Sequence, residues 1–228
     1  MGYNLFSEDS FLTRGLTRIG ELFIVSVLWF LTSLPVITIG TSTSALYYVT
    51  CKCIRRKRGS LVKEYFKSWK QNFLKGTILT VFLLACVFFL YCWIASLGTT
   101  IEDIVDKGVQ SAFAENSERA VGMYIVCILV LSLVGMLFCY MFPILSRFDI
   151  SVFQIAVHAF VLALRCLHHS ISVLVILVGL GYFVSRVPPV IMFAPGVWAL
   201  LSSFLIEKSM KKILPDPEEG QDAWWVGL

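Results

Sequence analysis

Apolar residues run in long stretches along this chain, and charged residues gather in the short intervals between them. The strongest stretches are 19–37, 76–97, 121–142 and 171–184. At a rise of about 1.5 Å per residue, a helix of about 20 residues crosses the roughly 30 Å hydrocarbon core of a bilayer. Two shorter runs, 41–54 and 190–206, bring the expected crossings to six. The pattern predicts spans near 19–38, 41–54, 76–97, 121–143, 168–186 and 190–207. Pro35 and Gly40 close the first hairpin, and Pro188 and Pro189 separate the last two runs. A secretory signal peptide competes for the first stretch, because small residues follow it at 41–45. The run is long for a signal's apolar core and is read as a retained span.

Two intervals carry a helical pattern without the length to cross. Within 60–74, Val62, Phe66, Trp69 and Phe73 recur at intervals of four, three and four, drawing one apolar stripe. Lys63, Lys67 and Lys70 draw a second stripe beside it. This is the pattern of an elbow helix lying in the headgroup layer, aromatics toward the acyl chains and lysines toward anionic lipid. The second elbow, 149–167, is apolar on most faces, with Gln154, His158, Arg165 and His169 on one narrow strip; it is expected to be mostly buried. Each elbow sits between a span entering and a span leaving. The octets 66–73 and 153–160 both begin and end in Phe, so a parallel internal repeat is suggested.

Composition agrees with the pattern: 57% of residues are hydrophobic and 15% charged, far from a water-soluble balance. Orientation follows from Lys and Arg placement, because basic loops stay in the cytoplasm. Arg55, Arg56, Lys57 and Arg58 form the densest basic cluster, with Arg14, Arg18, Arg147, Lys208, Lys211 and Lys212 on the same side of a six-span chain. The expected external loop, 98–120, is acidic instead, with Glu102, Asp103, Asp106, Glu115 and Glu118. Residues 1–212 therefore read as one all-α transmembrane domain and 213–228 as a cytoplasmic tail, with both termini inside.

Catalytic chemistry is not legible. No nucleophile stands near His158, His168 or His169, and no phosphate-cradling loop or metalloprotease motif occurs. Seven cysteines, an odd number, suit no disulfide framework, and Cys51 and Cys53 diverge on a helix without further metal ligands nearby. No cofactor, metal or nucleic acid is expected. The segments 22–38, 77–97, 121–142 and 171–185 lack Asp, Glu, Lys and Arg, which argues against a proton-driven carrier. Small residues at 40–45 suit close helix approach, and Pro35, Gly40, Thr41, Ser42 and Ser44 are the candidate helix-packing or partner-contact residues.

The segment Leu34-Pro35-Val36-Ile37-Thr38-Ile39-Gly40-Thr41-Ser42-Thr43-Ser44-Ala45-Leu46-Tyr47-Tyr48-Val49 resembles the YesL-like family of bacterial integral membrane proteins. So do residues 65–73 and the stretch Phe142-Pro143-Ile144-Leu145-Ser146-Arg147-Phe148-Asp149. The resemblance implies a bacterial cell-membrane protein associated with carbohydrate-uptake loci, and it supplies no catalytic residues. The expected function is a non-enzymatic accessory or scaffold subunit of an oligosaccharide ABC import system, contacting the permease subunits. The alternatives are a facilitator for a small solute and a membrane partner of a sugar-responsive sensor.

Overall fold

A computed structural model describes residues 11–106, 113–148 and 150–210. Nearly all of these residues are helical, with no strand among them. Helix α1 (Phe11–Thr32) is followed by a short 3-10 turn and α2 (Ile39–Val49), which runs on into a π-helical segment, Thr50–Arg55. Then come α3 (Leu61–Gln71), α4 (Phe73–Asp106), α5 (Phe113–Leu145), α6 (Val152–Arg165), α7 (Leu167–Arg186) and α8 (Ala194–Met210).

Among the described residues, four helices are long and apolar enough to cross a membrane: Gly15–Thr32, Phe73–Ala95, Ile125–Leu145 and Leu167–Arg186. They correspond to four of the six expected spans and are compatible with a multi-pass membrane protein. The other two runs, 41–54 and 190–207, fall on α2 with its π extension and on α8. More than half of the residues in α2, in its π extension and in α8 are buried, whereas only 11 to 28% of the most apolar window of each long helix is. α2 is the hub, touching α1, α3, α4, α5 and α8.

Several expected boundaries move. The first span stops at Thr32, because Pro35 lacks the backbone donor that continued helix requires. The 3-10 turn Val36–Thr38 then reverses the chain, and the Thr38 hydroxyl caps it by donating to the Thr32 and Pro35 carbonyls. The elbow expected at 60–74 ends at Gln71, and that expected at 149–167 occupies Val152–Arg165, opened by a reciprocal cap between Ser151 and Gln154. The interval expected as an external loop, 98–120, is helical up to Asp106 and again from Phe113. Hydropathy marks where apolar side chains stop, while helix continues wherever no proline or cap breaks it. The expected tail, 213–228, lies outside the described residues.

Candidate functional site

The polar run on α2 becomes the interior of the bundle. Thr41, Ser42, Thr43 and Ser44 are all buried. Gly40 is the point of closest approach: a Cβ there would overlap the Phe142 ring and the Thr80 hydroxyl, and the Gly40 N–H donates to Thr80 Oγ1 at 3.1 Å. Gly76 repeats the device from α4, since a Cβ on it would lie 2.9 Å from the Thr41 Cα. Thr41 donates to the Phe73 carbonyl at 3.2 Å, and the Trp29 indole donates to Thr43 Oγ1 at 3.2 Å. Of the candidate packing or partner residues, Gly40, Thr41, Ser42 and Ser44 are thus engaged within the chain's own core. Pro35 remains exposed. A partner cannot reach the buried four without unpacking the bundle.

Along the face of α2 that carries Gly40, Ser44, Tyr47 and Cys51, polarity rises toward the basic end. There Glu207 of α8, 4% exposed, accepts from Arg55 Nη1 at 2.5 Å through Oε2 and from Arg147 Nη2 through Oε1. Arg56 Nη2 stands 3.7 Å from the same carboxylate. Arg55 also donates to Ser203 Oγ at 3.3 Å and lies over the Phe204 ring at 4.2 Å. Arg147 reaches Cys51 Sγ at 3.9 Å and stands 5.7 Å from the Tyr47 ring centre. One carboxylate therefore ties together the π segment, the end of α5 and the end of α8. Burial by itself would push the Arg147 guanidinium down; Tyr47, Cys51 and Glu207 around it raise it instead. Arg56 lies lower than an ordinary arginine because burial outweighs the pull of Glu207.

Sequence reasoning missed this cluster. It used Arg55, Arg56 and Arg147 as orientation signals and passed over Glu207. The available signal was that Glu207 is the one acidic residue in 190–210, a stretch whose other charge is Lys208 beside it. What no sequence shows is that residues about 150 and 60 positions away converge on it.

Of the expected interfacial residues, Lys63, Phe66, Lys67, Trp69 and Lys70 sit on α3, and Phe73 opens α4. Lys63, Lys67 and Lys70 are exposed, as are Phe66 and Phe73. Trp69 is half-buried, its ring 4.9 Å from that of Phe73 and its Nε1 buried without a hydrogen-bond partner. The face toward the bundle carries Tyr65 and Ser68, which the stripe analysis had not singled out. A triangle holds the helix down: Lys52 Nζ donates to Tyr48 Oη at 2.8 Å and to Glu64 Oε2 at 2.9 Å, and Tyr48 Oη donates to the same oxygen at 3.2 Å. Burial raises the Glu64 carboxyl, but Lys52 and Tyr48 outweigh it and leave it below its ordinary value. A depressed carboxyl contributes stability above its unfolded pKa, about 4.3, that is lost as pH falls through the folded value. Glu64→Gln is expected to cost about 1 to 2 kcal/mol at neutral pH and to remove this acid-sensitive component. Thermal unfolding of both proteins at neutral pH and near pH 3 checks it. An unchanged gap between them would remove the triangle from the account.

Residues 22–92 match the model of a family described as a protein of unknown function, DUF624, the family of YesL-like membrane proteins. The match runs from within α1 through α2 and α3 into α4. It includes Arg55 and Arg56, while Arg147 and Glu207 lie beyond it. No curated protein and no solved structure matches the chain.

Proposed function

We propose that this chain is an integral membrane accessory or scaffold subunit that acts by binding a partner membrane protein, without chemistry of its own. The observation that carries the reading is the α4–α5 hairpin. Between its helices lies an open crevice of about 870 Å³, lined by apolar residues including Phe82, Phe89, Trp93, Met123, Val126 and Val130. Side chains around it are exposed on the outer flanks too, for example Phe88 at 68% and Ile128 at 65%. A crevice between two membrane helices offers a partner helix close van der Waals packing that flat, lipid-covered flanks do not. In this reading α2 and α8 complete six crossings, the basic end faces the cytoplasm, and both termini lie there. The family resemblance points to the permease of an oligosaccharide ABC importer as the first partner to test.

A solute facilitator is the second reading. It draws on Ser44 and Tyr47, neighbours on the Gly40 face of α2, whose hydroxyls are buried without a protein partner and could be satisfied by water or a polar solute. Against it, Phe142 is packed on Gly40 above that face, and the Glu207 ion pairs close it below.

Filling the crevice separates the readings. Ala85→Trp with Val130→Trp is expected to lower recovery of a crosslinked membrane partner from native membranes about tenfold or more while the protein still inserts and folds. The unaltered protein in liposomes is expected to move labelled oligosaccharide no faster than empty vesicles. Saturable flux from the lone protein, with partner recovery indifferent to the crevice, would install the facilitator instead.

A further inference from the structure

We propose that α3 and α6 form a collar that seats the protein on the bilayer surface at its basic end, with the α3 lysines holding the phosphates of anionic lipids. The inference rests on the chain spanning a membrane and stands whether or not it works through a partner.

The two elbows share a local construction. Each is joined to a long apolar helix through a single residue, Asn72 before α4 and Cys166 before α7. Counted at about 100° per residue, each divides into three sectors. On α3, Tyr65 and Ser68 are buried, Val62 and Phe66 are exposed and apolar, and Lys63, Lys67 and Lys70 are exposed and charged. On α6, Ile155, Ala159 and Leu162 are buried. Phe153, Val157 and Leu164 form its exposed apolar sector, and Gln154, His158 and Arg165 its polar one.

Going round each axis in the same sense, the order is the same: buried, exposed apolar, polar. A helix lying along a membrane surface beside its own protein needs these three sectors, one each for protein, acyl chains and water. The expectation that the second elbow is mostly buried is thereby corrected, since Phe153 is 79% exposed and its neighbours on that stripe follow it outward. Sequence alone could not tell the two apolar faces of α6 apart, because both carry large apolar residues, Ile155 and Leu162 on one and Phe153, Val157 and Leu164 on the other.

Continuity identifies the occupant as lipid. The apolar sector of α3 passes through Phe73 and Leu74 into the exposed face of α4 at Ile78 and Val81. That of α6 passes through Leu167 into Ile171 and Val175 of α7. Both α4 and α7 are long and apolar enough to span, so the same phase that covers them reaches the elbows. Charge then divides the labour. Exposed Lys57 and Arg58 precede the three lysines of α3, whereas the polar sector of α6 offers one arginine.

The test uses the full chain in nanodiscs of phosphatidylcholine, alone or mixed with phosphatidylglycerol. Fluorinated phenylalanine is placed singly at Phe66, Phe153 and, as a buried control, Phe142. A nitroxide on the acyl chain is expected to broaden the signals at Phe66 and Phe153 and spare Phe142, while a water-soluble gadolinium chelate spares all three. Broadening of Phe66 and Phe153 by gadolinium and not by nitroxide would mean that the face serves water or a soluble protein, and would overturn the collar. For the phosphate contact, Lys63→Gln, Lys67→Gln and Lys70→Gln are expected to reduce co-purifying phosphatidylglycerol by about fivefold per lysine at low salt. Phosphatidylcholine retention and folding should stay unchanged, because all three side chains are exposed. Equal phosphatidylglycerol retention would remove the lysines from the proposal, and loss of retention matched by free inorganic phosphate would assign the site to a soluble anion rather than a headgroup.

Discussion

Glu207→Ala is expected to destabilise the folded protein by about 3 to 5 kcal/mol, the cost of leaving buried guanidinium groups without their counter-charge. Arg55 and Arg147 both bond the Glu207 carboxylate, and each has most of its side chain out of solvent. Without that carboxylate, two buried cations face one another across the ends of three helices. Thermal unfolding in detergent measures the loss. Because the pairs are buried, added salt should recover little of it, in contrast to a surface ion pair. Replacing Glu207, Arg55 and Arg147 together by Met should cost much less than Glu207→Ala, since an apolar substitute removes the desolvation penalty along with the attraction. A Glu207→Ala protein within 1 kcal/mol of the original, on the scale of a surface pair, would show that the cluster is not what joins the π segment, α5 and α8.

The second large effect is expected at the core of α2. Ser42→Leu with Ser44→Leu adds branched side chains at two positions with no solvent exposure, where α2 meets α3, α4, α5 and α8. Overpacking at such sites costs about 1 to 3 kcal/mol each. The pair is expected to lose about 4 kcal/mol and to emerge as polydisperse protein in size-exclusion chromatography. Membrane insertion should persist, because added leucine only makes the run more apolar. A stable, monodisperse double variant that has lost only its partner would restore these residues to an external contact surface. The sequence reading offered that role for them, and their burial now argues against it.

The elbows show how far pattern carries. On α3 the spacing of Phe66 and the lysines picks out residues that are exposed, because a charged stripe must avoid the core. It misjudged Trp69, whose indole is partly turned into the protein, and it did not register Tyr65 and Ser68 as the inward face. On α6 the pattern failed, because an apolar residue satisfies lipid and protein interior equally well. The same ambiguity hid the role of α2: small hydroxyl residues suit close helix approach of any kind, and only the position of Phe142 over Gly40 says which helix does the approaching.

The sequence by itself determined the all-helical class, four of the six spans it predicted, and the breaks at Pro35 and Pro188. These are local properties: a helix of sufficient length and hydropathy, or a missing backbone donor, needs no distant residue to express it. Tertiary structure decided which apolar faces turn inward, which small residues the bundle consumes, and how Glu207 gathers Arg55 and Arg147 into one buried cluster. Those outcomes depend on contacts between residues far apart in the chain, and a buried charge in particular is tolerated only where folding brings its counter-charges within hydrogen-bond reach.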